Sequence, residues 1–234
     1  MIISKDLDEL RKAISNLKKD NPNKSIGFVP TMGALHQGHL SLVEKASEHT
    51  DIVIVSVFVN PTQFNDSSDL EKYPRTLQSD TEKLRQTACD ILFAPNEKVV
   101  YPNGPKPYEI NLGFVGKTME GKFRKGHFEG VCMVVERLFE MVKPDKAFFG
   151  LKDFQQVAVI KKMVELRSIP VEIIPVEIVR SDKGLALSSR NALLSEQQKE
   201  DALIIHQTLL LGKSLVTDGC NPAEIKKEMI RFFN

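Results

Sequence analysis

The chain has 234 residues, 41% hydrophobic and 27% charged, enough apolar material for one large domain or two smaller ones. Its 32 lysines and arginines face 31 acidic residues, so no net field draws it to nucleic acid or to an anionic membrane. Cys89, Cys132 and Cys220 are odd in number and far apart, with neither zinc-ligand spacing nor a disulfide framework, as suits a reducing cytoplasm.

The opening residues Met1-Ile2-Ile3-Ser4-Lys5-Asp6 lack the basic start and long apolar core of a signal peptide. No apolar run is long enough to span a bilayer, so a soluble, cytoplasmic protein is expected. Residues 6–19 set Leu7, Leu10, Ile14 and Leu17 at helical intervals, and Asn21-Pro22-Asn23 stops that helix. Residues 26–30 read as a short buried strand, and the apolar spacing of residues 40–46 suits a helix. Between them lies Thr31-Met32-Gly33-Ala34-Leu35-His36-Gln37-Gly38-His39. A strand, a glycine-containing turn and a helix can hold phosphates, because the first N–H groups of the helix are unpaired and point at the ligand. The pattern His-x-Gly-His adds ring N–H donors that can follow negative charge between phosphate oxygens. The alternative is a plain strand–helix connection carrying two surface histidines, since short motifs match by chance.

Residues 51–60 are dense in valine and isoleucine, as expected of a central parallel strand covered on both faces. Asn60-Pro61-Thr62-Gln63 follows; its amides suit a ligand bearing hydroxyls and a carboxylate, or serve as ordinary turn residues. Residues 76–88 read as a helix, 90–93 as a buried strand, and 95–107 as a proline- and glycine-rich surface stretch. Arg124-Lys125-Gly126-His127 precedes a strongly patterned helix over 126–142, and makes either an anion site or a solvated basic loop. Residues 146–150 form a fourth strand, 152–167 a helix and 171–174 a fifth strand. At the junction, Lys152 can hold a phosphate as a point charge, while Asp153 is either a ligand contact or a helix N-cap.

Strands alternating with helices predict a doubly wound parallel α/β sheet of Rossmann-like type, with right-handed connections. Such sheets bind ligands at the carboxyl ends of their strands, where residues 31–39, 60–63 and 152–156 collect. Beyond Val179 the character changes to a polar, turn-rich segment ending Ser188-Ser189-Arg190-Asn191. It suits a mobile clamp on a triphosphate, or an N-cap run before Leu193. One helix is expected from Ser195 to about Val216, and a last one from Asn221. The expected division is a nucleotide-binding domain over 1–177 and a smaller second domain over 178–234.

The chain has no Gly-x-x-x-x-Gly-Lys-Ser/Thr loop, no Gly-x-Gly-x-x-Gly after the first strand and no Gly-x-Ser-x-Gly elbow. A nucleotide held by His-x-Gly-His with a late Ser-Ser-Arg clamp points instead to attack at the α-phosphate, with loss of pyrophosphate.

The stretches PTMGALHQGHLSLV, VSVFVNPTQF, DLEKYPRTLQSD, GHFEGV, FFGLKDFQQ and GLALSSRN closely resemble, in order and from end to end, the pantothenate synthetase family of HxGH nucleotidylyltransferases. The resemblance implies ATP-dependent condensation of pantoate with β-alanine through a pantoyl-adenylate, releasing pyrophosphate and AMP. It implies that His36 and His39 hold the ATP phosphates, that Lys152 contacts phosphate, and that Gly150 and Asp153 sit near the ribose. Ser188, Ser189 and Arg190 would bind the triphosphate from a lid domain. Gln63 and Gln156 would bind pantoate, with Met32 beside them, against the apolar walls Phe58, Val131 and Val134. Asn60, Arg124 and His127 would line the entrance and amine site. Magnesium would bridge the ATP phosphates with no dedicated protein ligands. The family also implies a homodimer.

The chain departs from the family at Lys125, where proline is usual, at Leu151 for glutamate and at Met133 for threonine. No strand-like segment follows Asn221, so the lid is expected to be shorter than the family's. Three rivals follow: an HxGH nucleotidylyltransferase with another acceptor, a lid-deficient protein that binds ATP or pantoate without turnover, and an RNA-binding relative of tRNA synthetases. Near-zero net charge opposes the last.

Overall fold

The computed structural model describes residues 1–234, the side chain of Ser67 excepted. The chain folds as two compact units, Met1–Glu177 and Ile178–Asn234.

The first unit is built on six strands: β1 (Ile2–Ser4), β2 (Ile26–Thr31), β3 (Ile52–Val57), β4 (Ile91–Phe93), β5 (Lys146–Gly150) and β6 (Glu172–Val176). They lie in the order β1-β4-β3-β2-β5-β6, every pair parallel. The doubly wound sheet is therefore as expected, with one strand more than the sequence pattern shows. β1 is three residues long, too short for a periodic signal, and is defined by its pairing of Ile2 with Ile91 through Ser4 with Phe93.

Alternate residues of the strands feed two cores, one on each face. Phe28, Ile52, Ile54, Phe93, Ala147 and Phe149 pack with the helices Leu7–Leu17, His127–Val142 and Phe154–Arg167. Val29, Val53, Val55, Leu92 and Phe148 pack with Leu42, Val43 and Ala46 of the helix Gln37–His49 and with Leu84 of the helix Leu77–Leu84. Cys132 is a buried, free core thiol. Val131, Val134 and Phe58 belong to the first core.

β2 and β3 run in step for six residues, Ile26 with Ile52 to Thr31 with Val57. Their carboxyl ends thus stand level, and the loops leaving them start side by side. Three expectations shift. The helix expected over 76–88 spans Leu77–Leu84, because residues beyond it tighten into turns. The supposed surface stretch over 95–107 contains the helical turn Glu97–Val100, which buries Val100 and Tyr101. The helix over 152–167 opens with a 3₁₀ turn, Leu151–Asp153.

In the second unit, an antiparallel bridge pairs Arg180 with Ala186, and a 3₁₀ turn spans Ser189–Leu193. The single helix expected from Ser195 is two, Glu196–Asp201 and Leu203–Thr217. The last helix, Pro222–Phe233, starts on an Asn221–Glu224 capping box with proline in its first turn.

Candidate active site

The chain lays β2, β3 and β4 down in one direction, then crosses to place β5 on the other side of β2. The reversal makes a crevice between the ends of β2 and β5, the place where open α/β sheets bind ligands. The histidine turn leaves β2 there, and the Lys152 turn leaves β5.

The turn is unusual backbone. Gly33 (φ 83°) and Ala34 (φ 51°) are both left-handed, which glycine tolerates and alanine resists. Asp80, fully buried, holds it: Oδ2 accepts from the Ala34 N–H at 3.0 Å and Oδ1 from the Leu35 N–H at 2.7 Å. The Thr76 hydroxyl donates to the same carboxylate at 3.2 Å, and Lys83 Nζ donates to the Leu35 carbonyl at 2.6 Å. Neither Asp80 nor Lys83 stands out in the sequence. An acid in the first turn of a helix reads as a dipole partner, and the contact spans 45 residues.

His36 is the N-cap of the helix Gln37–His49. Its Nδ1 accepts from the Gly38 N–H at 3.1 Å, and His39 Nδ1 accepts from the His36 N–H at 3.3 Å, so the two histidines form a capping box with each other. Their ring centroids are 4.1 Å apart. A ring nitrogen that accepts an N–H bond carries no proton, so each neutral ring carries its proton on Nε2. Burial pushes the His39 pKa down to about 3, with His36, Lys152 and Lys83 adding to the effect. Burial, then Lys152 and Lys83, likewise hold His36 below its ordinary value. The pair can donate from Nε2 without first being charged.

Lys152 is exposed and lies 3.2 Å from Asp153 Oδ1. Asp153 makes no side-chain cap bond to the helix behind it, so capping does not explain it. A side chain at Gly150 would meet no atom within 4 Å, leaving the end of β5 open.

On the other core's side, Gln63 joins three elements. Its Nε2 donates to Met32 Sδ at 3.0 Å and its Oε1 accepts from Asn60 Nδ2 at 3.3 Å. Its carbonyl accepts from His127 Nδ1 at 2.9 Å and from Arg124 Nη2 at 3.4 Å. Arg124 also donates to His127 Nε2 at 3.2 Å and pairs with Glu120 at 2.5 Å. Both nitrogens of the buried His127 ring are thereby engaged, and burial lowers its pKa. Asn60 is interior and saturated. It donates to the Gly130 carbonyl at 3.2 Å and accepts from Tyr101 Oη at 3.0 Å and Thr62 Oγ1 at 3.1 Å. Gly130 lets the helix come this close, since a Cβ there would stand 2.5 Å from the Thr62 carbonyl oxygen. Asn60, Arg124 and His127 thus shape the loop carrying Gln63.

The two neighbouring glutamines differ. Gln155 is buried and ties residues 115–120 to its helix through Glu120 N, Val115 O and Thr118 O. Gln156, partly exposed, makes no side-chain hydrogen bond among the described residues. The unusual Met133 packs against the first core, and Lys125 is exposed, its carbonyl accepting from Asn65 Nδ2 at 2.6 Å. In the second unit, Ser188 Oγ accepts from the Arg190 N–H at 3.3 Å and so caps the turn that carries Ser189 and Arg190.

A doubly wound sheet with an interlocked His-x-Gly-His pair at its switch point is the arrangement of a ligand-binding α/β enzyme. The family model described as Pantoate-beta-alanine ligase matches residues 2–234. The chain belongs to that family of ligases. It is 45% identical to the pantothenate synthetase of Aquifex aeolicus over 232 residues, 99% of this chain and 81% of that protein. It is 49% identical to the pantothenate synthetase of Thermodesulfovibrio yellowstonii over 210 residues, 90% and 75% of the two chains. A solved pantothenate synthetase from Thermus thermophilus superposes with a TM-score of 0.92 at 40% identity, over 99% of this chain and 82% of that one. A pantoate-beta-alanine ligase from Francisella tularensis, complexed with beta-gamma ATP and beta-alanine, gives 0.82 at 39% identity, over 99% and 86%.

Proposed function

We propose that this chain condenses pantoate with β-alanine, using ATP, in two half-reactions. A pantoate carboxylate oxygen attacks the α-phosphorus, the bond to pyrophosphate breaks, and pantoyl-adenylate forms. The β-alanine amine then attacks the acyl carbon. The C–N bond forms, the bond to AMP breaks, and the amine loses its proton.

The observation that carries this reading is the histidine pair at the β2–β5 crevice, each ring tied by Nδ1 to backbone and left with Nε2–H to donate. His36 and His39 would follow charge onto the phosphate oxygens as the P–O bond breaks, and Lys152 would add a point charge. Gly150 and Asp153 would lie near the ribose. Gln63, held by Met32 and Asn60, would meet the pantoate hydroxyls and carboxylate together with Gln156. A site built to hydrogen-bond those groups rejects acids that lack them. Residues 1–177 would bind ATP and pantoate, and residues 178–234 would act as the lid, bringing Ser188, Ser189 and Arg190 to the triphosphate. Magnesium would bridge the phosphates themselves, with few protein ligands.

A homodimer formed through the first unit belongs to the same reading. Phe114 and Phe123 are 81% and 79% exposed, apolar area that a second copy would cover. Three free cysteines fit a cytoplasmic setting. No helix among the described residues is long and apolar enough to cross a membrane.

ATP–pyrophosphate exchange tests the reading. Exchange should require pantoate and be lost in His36→Gln. Exchange driven by a phosphorylated acceptor instead of pantoate would replace it with another nucleotidyl transfer.

A further inference from the structure

Of the three charged side chains on the helix Leu77–Leu84, Asp80 and Lys83 bond to the histidine turn, and the two half-reactions leave them unused. They lie three residues apart and so share one helical face. That face grips a single residue. The Leu35 N–H donates to Asp80 and the Leu35 carbonyl accepts from Lys83 Nζ, while the Leu35 side chain is itself buried. Leu35 immediately precedes His36 and follows the two left-handed residues Gly33 and Ala34. The residue that sets the direction of the first histidine is thus fixed at both polar atoms and at its side chain.

A carbonyl could be satisfied by water or by an amide. An ammonium adds charge, and its place makes that charge matter. The charged groups around the imidazoles come from separate elements. Lys83 reaches them from the helix Leu77–Leu84, Lys152 from the turn after β5, and Asp80 stands behind the turn on its backbone N–H groups. The two ammonium groups both act against protonation of His36 and of His39. Asp80 commits its oxygens to Ala34, Leu35 and Thr76.

We propose that Lys83 is a positioning residue of the adenylation step: seated on the Leu35 carbonyl, it fixes the histidine turn and keeps His36 and His39 as Nε2–H donors toward the ATP phosphates. The inference rests on the reading of those histidines as phosphate-binding groups. It assigns to Lys83 a role that a surface lysine making one backbone contact would not have.

The test compares Lys83→Met and Lys83→Arg in the full chain. Three quantities are read: urea stability, kcat and KM for ATP in pantoate-dependent pyrophosphate exchange, and the ¹⁵N shifts of the imidazoles followed against pH. Lys83→Met should lower kcat by about tenfold or more, as the histidine donors lose their set direction toward the phosphate oxygens. It should also move the His36 titration to higher pH. Lys83→Arg, which keeps the charge and the donor, should recover most of both. Wild-type kcat and an unmoved imidazole titration in Lys83→Met would overturn the proposal, as would a loss of stability alone. Failure of the underlying reading looks different, because His36→Gln would then exchange at the wild-type rate.

Discussion

Replacing Asn60 with alanine separates a buried hub from a ligand-facing amide. Asn60 is 1% exposed and bonds to Gly130, Gln63, Tyr101 and Thr62. Alanine would remove the buried amide that links the Gly130 carbonyl, which keeps its helical N–H partner, to the Tyr101 hydroxyl, which loses its acceptor on Asn60. Burial raises the Tyr101 pKa to about 12, so its hydroxyl remains a proton donor throughout the working range. Losing these buried hydrogen bonds should cost about 1–3 kcal/mol, a sizeable part of a typical domain's stability. Urea denaturation reads this directly as a fall in midpoint at nearly constant m. Asn60→Asp should also destabilise, because an acceptor oxygen would then face the Gly130 carbonyl. The KM for pantoate should rise in Asn60→Ala, since Gln63 loses one of its holds. A stability loss under about 0.5 kcal/mol would refute the argument, that being the ordinary cost at an exposed site. With activity also lost, it would return Asn60 to direct contact with substrate.

Three further outcomes are expected. Gly130→Ala should cost about 1–3 kcal/mol and raise the KM for pantoate, because the new methyl meets the Thr62 backbone and forces the helix away; wild-type values of both would refute the close approach. On acidification, the unfolded chain protonates His39 near pH 6.5 while the folded chain resists to about pH 3. Stability should therefore be unaffected by this group above pH 6.5 and fall below it by up to about 1.4 kcal/mol per pH unit. His39→Gln should flatten that slope, and parallel wild-type and variant curves would contradict it. Ser56→Ala should be neutral or stabilising by up to about 1 kcal/mol in denaturation, because the buried Ser56 hydroxyl has no partner among the described residues.

Periodicity made the interior strands and most long helices legible, because β2, β3 and β5 are buried runs of apolar residues and the helix His127–Val142 has a wide apolar stripe. β1 was hidden because an edge strand of three residues is defined by its partner, not by its own pattern. The break at Ala202 carries no glycine or proline to announce it. At the site, the histidines and Lys152 showed themselves as polar residues just past strand ends. Asp80 and Lys83 did not, since their contacts with residues 34 and 35 cross most of a βαβ unit. Asn60 and Gln63 lie three residues apart in the same short motif, yet one is sealed inside and the other partly exposed. Sequence spacing does not separate them; the approach of Gly130 does.

The two cores lie on opposite faces of one sheet, and they are not equivalent to the chemistry. The helix that begins at His36 and the helix bearing Asp80 and Lys83 share one core with Val29 and Val55. Phe58 and the helices His127–Val142 and Phe154–Arg167 share the other. On the proposed reading, the histidine turn and the loop carrying Gln63 therefore rest on separately packed layers, joined where Gln63 bonds to Met32. Substitutions remote from one another and without shared partners combine nearly additively. Substitutions within the packing under the histidine turn and within that under the Gln63 loop should thus combine nearly additively, except at Met32 and Gln63, where the two layers meet.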